Sequence, residues 1–237
     1  MTYPDDCLQS MVLPNNWWVK TDSTKLEKGA LVFAFAPHVD QTPYTFEPTG
    51  RKDPTVHNSA VVKVSPLRVN QPLKSTDLPV AAMTLNDREV WSAHRAKKRP
   101  CIVFSSESVP VSNELIKGKS KHATAPTFLA APCYGVDQGK RAGYSPEFVE
   151  RVRHLEYPQF HWESLPINSK GTSESIVRLD HLQPFGTHYH AYAHSGYVLS
   201  EGAMELLDDQ LYWLLNGGVE EDSIILDYRD LISETFE

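Results

Sequence analysis

The sequence predicts a mainly β protein, a small barrel that carries helices at its C-terminal end. Short apolar runs flanked by Gly or Pro are typical of buried strands, and 30–36, between Gly29 and Pro37, is the clearest of them. Apolar residues at helical spacing are concentrated late in the chain, over 200–216. Several short strands with one or two late helices favour a small barrel over a doubly wound sheet.

Strands are predicted wherever such a short apolar run is bounded by turn residues. The segments that fit are 30–36, 100–105, 128–132, 160–165 and 175–182. Three helices are predicted from capping residues and apolar spacing, over 145–154, 200–216 and 223–236. Ser145 and Ser200 suit the N-cap positions of the first two, because a serine hydroxyl can accept a hydrogen bond from an unpaired backbone N–H.

Two stretches stand apart from this pattern. Residues 1–28 are punctuated by prolines and asparagines and predict an irregular N-terminal extension. Residues 38–97 are rich in proline and polar side chains, and predict an inserted β-rich elaboration with short strands near 60–64 and 80–83. With an acidic tail over 219–237, the 237 residues are interpreted as one domain, since this length suits a single sizeable core.

The charge is negative overall but unevenly distributed. A net charge of −7 argues against a generally basic nucleic-acid-binding protein. Residues 95–121 nevertheless carry seven basic side chains against two acidic ones, and residues 220–237 carry seven acidic against one basic. The acidic tail could cover a basic site within the same chain, or could form a terminal helix with its acids in solvent.

Targeting, membrane and redox signals point to an ordinary cytoplasmic protein. No apolar run approaches the roughly 18–20 residues that cross a bilayer, and Asp5 and Asp6 stand where a secretory leader would carry basic residues. The three cysteines lack C-x-x-C spacing, so neither a disulfide framework nor a zinc site is expected. Cys101 and Cys133 lie in apolar runs and are interpreted as small core residues.

Three segments follow one another in the sequence as recognisable motifs. They are Gly-Ala-Leu-Val-Phe-Ala-Phe at 29–35, Lys-Arg-Pro-Cys-Ile-Val-Phe-Ser at 98–105 and Ser-Ile-Val-Arg-Leu-Asp-His-Leu at 175–182. In this order they resemble the MazF/PemK family of bacterial toxin endoribonucleases. Weaker matches at 129–132 and 199–215 are similar to the family's "V-V-A-P" strand and final helix. The resemblance implies an SH3-like barrel, metal-independent cleavage of single-stranded RNA without a cofactor, an antitoxin or other protein partner, and a homodimer.

Arg178 and Asp180 carry the chemistry that this resemblance implies. Two residues apart on one predicted strand, both would lie on the same face, with Val177 and Leu179 turned to the core. Asp180 would take the proton of a ribose 2′-hydroxyl, and Arg178 would stabilise the negative charge that develops on phosphorus. An ordinary exposed Arg–Asp pair remains the other interpretation.

Further candidates surround this pair in the sequence. Arg99 precedes Pro100, which restricts it to an extended conformation, and its guanidinium suits a phosphate. His38 follows the first strand, where the resemblance implies a histidine that assists catalysis. The candidate RNA-binding residues are Lys97, Lys98, Lys119, Lys121 and Tyr134.

Other functions stay open. The acidic balance and the changed residues after Leu182 favour a catalytically inactive module that binds a protein partner in a regulatory or defence assembly. His188, His190 and His194 could hold zinc in a hydrolase, or could be ordinary surface or core residues. Trp17 and Trp18 could stack nucleic-acid bases, although large aromatic side chains more often fill the edge of a core.

Overall fold

The computed structural model describes residues 3–12, 16–70, 81–85, 88–106, 111–118, 127–136, 143–167 and 173–236. Strand residues outnumber helical ones, 35% against 26%, so the fold is mainly β, as predicted. The sheets are antiparallel and the longest helices are C-terminal, also as predicted. Within the described residues the strands do not close into a barrel.

The strands are β1 (Trp18–Lys20), β2 (Ala30–Pro37), β3 (Tyr44–Gly50), β4 (Val61–Pro66), β5 (Ser92–Ala93), β6 (Ala96–Ser105), β7 (Thr127–Gly135), β8 (Phe160–Leu165), β9 (Ser173–Arg178), β10 (Gln183–Gly186) and β11 (Tyr192–Leu199). The α-helices are α1 (Leu8–Val12), α2 (Asn113–Ile116), α3 (Pro146–Arg153), α4 (Glu201–Asn216) and α5 (Ile224–Phe236). Two 3-10 turns are described, Ala81–Met83 and Leu179–His181. No helix in these ranges is long and apolar enough to cross a membrane.

The chain forms two compact units. The larger comprises Met1–Phe35 and Lys98–Glu237, and the smaller comprises Ala36–Lys97. The larger unit holds one sheet in the order β1-β11-β2-β6-β7-β9-β8, with β10 paired to β7. The smaller holds a sheet in the order β4-β3-β5.

The large sheet has two differently covered faces. On one face, Leu31, Ile102, Cys133 and Val177 form a core with α4 and α5, represented by residues such as Leu207. On the other face lie two smaller apolar clusters, one on β2, β6 and β7 and one beneath α3. Because side chains alternate between faces along a strand, each strand's sequence contributes to both layers.

The C-terminal tail belongs to the first of these faces. Ile225 and Ile232 of α5 are each 1% exposed, and Ile225 packs into the core that α4 covers. The acidic side chains Asp227 and Asp230 are exposed. The terminal helix is therefore part of the core, with its acids in solvent, as the second interpretation of the tail expected.

The helix caps follow the sequence prediction. The Ser145 hydroxyl accepts a hydrogen bond from the Phe148 N–H at 3.2 Å, and the Ser200 hydroxyl accepts one from the Ala203 N–H at 3.3 Å. Gly217 ends α4 in the left-handed region at φ 76°, a conformation that costs glycine little because it lacks a Cβ.

Three secondary-structure predictions were wrong. The predicted strand near 80–83 is a 3-10 turn at Ala81–Met83. Strand β3 was missed because Pro48 lies within it, a position where the ladder to β4 shifts register. The strand predicted over 175–182 ends at Arg178, because Leu179–His181 forms a 3-10 turn that buries Leu179 at 1% exposure.

A buried carboxylate joins the N-terminal segment to the sheet. Glu163 is fully buried, and its two oxygens accept hydrogen bonds from the indole N–H groups of Trp17 at 2.8 Å and Trp18 at 2.9 Å. The Ser164 backbone N–H donates a third hydrogen bond, at 2.9 Å. Trp17 is 1% exposed, so it is a core residue and offers no face to a nucleic-acid base.

Further hydrogen bonds join strand β8, which carries Glu163, to helix α4. A hydrogen bond of 2.9 Å joins Nδ1 of the buried His161 to Oε1 of Gln210. The Gln210 amide donates to the backbone carbonyl of Phe160 at 2.7 Å. The N-terminal extension was predicted to be irregular. Its described residues nevertheless include α1 and β1, which both lie against this interior.

Loss of one indole donor should destabilise the fold. We expect Trp17→Phe to lower the free energy of unfolding by about 1–3 kcal/mol more than Trp162→Phe does, because only Trp17 leaves a buried carboxylate oxygen short of a donor. Trp162 is a matched control, being 2% exposed with an indole N–H that has no hydrogen-bond partner. Urea denaturation measures both values, and equal losses would contradict the role given to Glu163.

The cysteines should be inert in the folded protein. Burial raises the pKa of the Cys101 thiol to about 12 and raises that of Cys133 well above its ordinary value. Because the thiolate is the nucleophile, we expect iodoacetamide at about pH 8 to label neither residue until urea unfolds the chain. Peptide mass spectrometry gives the labelling rates, and rapid alkylation of either cysteine in the native state would contradict their burial.

Candidate functional site

Three neighbouring strands bring charged and aromatic side chains to one face of the large sheet. Strands β6, β7 and β9 are adjacent, and carry Arg99, Tyr134 and Arg178 respectively. Alternation puts these side chains on the face opposite α4, since Cys133 and Val177, next to Tyr134 and Arg178, belong to the α4 core. The predicted convergence of Arg99 and Arg178 is therefore present in the larger unit.

Arg99 packs against an aromatic ring. Its guanidinium carbon is 4.0 Å from the centroid of the Tyr134 ring, a distance at which a cation is attracted by the π face. Its Nε atom is buried and has no hydrogen-bond partner. A buried donor without an acceptor costs free energy. The position of Arg99 is therefore explained by its contact with Tyr134 and not by a hydrogen bond from Nε.

Arg178 is the centre of the polar contacts. Its Nε and Nη2 atoms donate to the two oxygens of Asp180 at 2.7 and 2.6 Å, which is the fork geometry of a bidentate pair. Its guanidinium carbon is 5.0 Å from the ring of Phe160, the residue directly opposite it on β8. The hydrogen bonds to Asp180 raise the pKa of Arg178 above its ordinary value, and a hydrogen bond to Tyr144 adds to the rise, so the guanidinium stays charged.

Arg178 and Asp180 do form a pair, but the prediction that they share one strand was wrong. Asp180 does not lie on the strand with Arg178 but on the 3-10 turn that follows it. The turn brings the Asp180 carboxylate to the Arg178 guanidinium. The side chain of Asp180 is 32% exposed. Val177 and Leu179 do point to the core, as predicted.

His181 joins this cluster, although its sequence position predicted no role for it. Its Nδ1 lies 2.9 Å from the Tyr134 hydroxyl, and its Nε2 lies 2.9 Å from Arg178 Nη2. A guanidinium can only donate, so Nε2 is the acceptor and the proton of the neutral ring is on Nδ1, donated to the Tyr134 oxygen. His181 stood inside the segment that resembles the toxin family, and its place beside Asp180 was the only signal in the sequence.

Tyr134 is a structural member of the cluster rather than a free stacking surface. It is 9% exposed, and its ring faces Arg99 and, at 5.8 Å, Arg178. Its RNA-binding role stays a prediction, and the structure shows Tyr134 in contact with two arginines.

The remaining predicted site residues lie elsewhere. Lys98 Nζ is 5.7 Å from the centroid of the Phe33 ring, and Lys98 alternates with Arg99, so it is on the other face of the sheet. His38 and Lys97 belong to the smaller unit, where the His38 N–H donates to the Arg95 carbonyl at 2.7 Å. Lys119 and Lys121 lie outside the described residues.

The histidines at 188–194 do not form a metal centre. Within the described part of the chain, no group of three His, Cys, Asp or Glu side chains could hold a metal ion. The ring of His190 packs at 3.7 Å, centroid to centroid, on Tyr189. Nδ1 of His194 accepts a hydrogen bond from the Gly196 N–H at 3.0 Å. The zinc hypothesis therefore gains no support from the geometry.

Comparisons with known proteins add no name to this site. Neither family models, nor curated proteins, nor solved structures give a match to this chain.

The tautomer of His181 can be measured directly. We expect nitrogen-15 NMR of the imidazole, above the pH at which the ring protonates, to show the proton on Nδ1, because Arg178 donates to Nε2. Arg178→Met removes that donor and should raise the Nε2–H fraction. A wild-type ring that carries its proton on Nε2 would contradict the hydrogen-bond network described here.

Proposed function

We propose that this chain is a toxin-type endoribonuclease that cleaves single-stranded RNA by attack of the ribose 2′-hydroxyl on the adjacent phosphorus. The proposal includes the SH3-like barrel of the family that the sequence resembles, and a cytoplasmic site of action. Its support is the arrangement of Arg99, Arg178 and Asp180 on one face of the large sheet, together with the order of the motifs in the sequence.

The pairing of two arginines with a single carboxylate carries the proposal. The guanidinium carbons of Arg99 and Arg178 lie 4.0 and 5.8 Å from the centroid of the Tyr134 ring, so two positive charges share one aromatic side chain and repel each other. Asp180 neutralises Arg178, which leaves the charge of Arg99 and its unpartnered buried Nε. An anion bound here would offset both costs, and a phosphodiester oxygen is an acceptor that the Arg99 guanidinium could bind.

Each side chain then has a chemical task. Arg99 would hold the phosphate, and Arg178 would stabilise the charge that accumulates on the phosphorane. The family resemblance assigns proton removal from the 2′-hydroxyl to Asp180. The products would be a 2′,3′-cyclic phosphate and a free 5′-hydroxyl, and the protein groups named here need no metal ion for that reaction.

Cleavage of RNA tests this function. We expect the wild-type protein to cleave a long unstructured RNA with EDTA present and to leave cyclic-phosphate ends. Arg178→Ala should lower the cleavage rate about 10²-fold or more, because charge stabilisation in the transition state is lost. Arg151→Ala is a matched control, since Arg151 is exposed and forms an ion pair with Glu147 at 3.4 Å on α3.

Two outcomes would contradict the proposal. Equal activity of Arg178→Ala and Arg151→Ala, in folded proteins, would remove Arg178 from the chemistry. A folded wild-type protein that cleaves no RNA would overturn the nuclease proposal itself.

An observation in the smaller unit favours the second candidate function, a catalytically inactive module that binds a protein such as an antitoxin. Strand β4 is at one edge of its sheet, and Val61, Val62 and Val64 are 46%, 37% and 54% exposed. An exposed edge strand with valines can pair with a strand of another chain. Loss of a copurifying partner on Val62→Lys, with wild-type stability, would favour this candidate, and an unchanged complex would count against it.

A further inference from the structure

We propose that His181, rather than Asp180, is the general base of the cleavage reaction, and that Asp180 is a positioning residue that holds Arg178. This inference rests on the proposed function and assigns its proton transfer to a different side chain. It also gives Tyr134 a task, because the Tyr134 hydroxyl accepts a hydrogen bond from the Nδ1–H that the Arg178 donor at Nε2 requires.

Asp180 is poorly suited to accept a proton. Both of its oxygens already accept charge-assisted hydrogen bonds from Arg178, at 2.7 and 2.6 Å. Proton transfer to either oxygen would remove the negative charge that strengthens this fork, and would weaken the hold on the guanidinium at the moment when charge develops on the phosphate. The carboxylate therefore serves better by orienting Arg178.

His181 has the features that a base needs. Its Nε2 carries the lone pair, because Nδ1 donates its proton to Tyr134. Nε2 lies 2.9 Å from Arg178 Nη2, so a phosphate bound to that nitrogen would place the adjoining ribose within hydrogen-bond reach of the ring. The side chain is 15% exposed, so it is not sealed in the interior.

The charges around the ring suit both of its protonation states. The imidazole faces Arg178 from β9 and Tyr134 from β7, and Asp180 Oδ2 is 4.0 Å from Nε2 within its own turn. In the resting protein the Arg178 donor occupies Nε2. Once a phosphate takes Nη2, the Asp180 carboxylate, 4.0 Å from Nε2, is an opposite charge that favours the imidazolium produced by proton transfer.

The step balances without an added reactant. The 2′-oxygen gives its proton to His181 Nε2 and forms a bond to phosphorus, while the bond from phosphorus to the 5′-oxygen breaks. The 5′-oxygen takes a proton from solvent water, and the imidazolium returns its proton to solvent. The products are the cyclic phosphate and the 5′-hydroxyl, and nothing is oxidised or reduced.

The experiment compares four proteins in single-turnover cleavage of a short RNA with EDTA, between about pH 5 and 8. They are wild type, His181→Gln, Asp180→Asn and the control His154→Gln. His154 is also a half-buried histidine beside a carboxylate, with Nε2 3.3 Å from Asp6 Oδ2. Affinity is measured in parallel by fluorescence anisotropy, with the same RNA carrying a 2′-deoxy sugar at the cleavage position.

We expect His181→Gln to lower the cleavage rate by about 10²–10⁴-fold and to remove its rise with pH. Affinity for the 2′-deoxy RNA should change by less than about threefold, because the phosphate-binding arginines remain. Asp180→Asn should be slower than wild type but should keep the rise with pH. His154→Gln should behave as wild type.

A His181→Gly variant guards against an effect of misfolding. Added imidazole should restore part of its cleavage rate, which a purely structural defect would not allow. Wild-type activity in His181→Gln, or loss of the pH rise in Asp180→Asn alone, would overturn the inference while leaving the nuclease function intact. Absence of cleavage by folded wild-type protein would overturn the proposed function and this inference with it.

Discussion

The buried carboxylate of Glu163 is the constraint around which the larger unit is organised. A charge inside a protein is tolerated only when hydrogen bonds replace the water that it loses. Here the indoles of Trp17 and Trp18 supply two of them, and these residues lie far from Glu163 in the sequence. The N-terminal segment is thus held against β8, the strand whose opposite face presents Phe160 to Arg178.

One sheet consequently serves two purposes on its two faces. The face beneath α4 and α5 is apolar and buries the main core. The other face carries Arg99, Tyr134 and Arg178 between two smaller apolar clusters, and its backbone is fixed by the core behind it. Charged groups on adjacent strands of a rigid sheet keep their spacing, so the fold sets the positions of the two guanidinium groups.

The sequence was informative wherever local rules decide the structure. The strands at 30–36 and 100–105 and the helix at 200–216 are set by apolar spacing, proline and caps within a few residues, and all three are present. The Arg178–Asp180 pair was also predicted, although the 3-10 turn that forms it was not, because Leu179 turns inward only when the α4 core receives it.

Contacts between distant segments were beyond such rules. His181 meets Tyr134 across 47 positions of sequence, and Trp17 meets Glu163 across 146. Neither partner carries a local signal of the other, since each depends on which strands become neighbours. Glutamate is usually exposed, so the sequence around Glu163 predicts an exposed side chain. Its burial becomes understandable only when the indole donors of Trp17 and Trp18 are seen beside it in the structure.

The position of β1 has a consequence for how the protein is made. This strand, at residues 18–20, pairs with β11 at 197–199, so the sheet lacks one edge until the ribosome has released most of the chain. The interior also waits for Gln210 and Ile225. Contacts this distant in sequence form late, because all the residues between them must be made first. The edge of the large sheet formed by β1 therefore waits for the synthesis of residues 197–199.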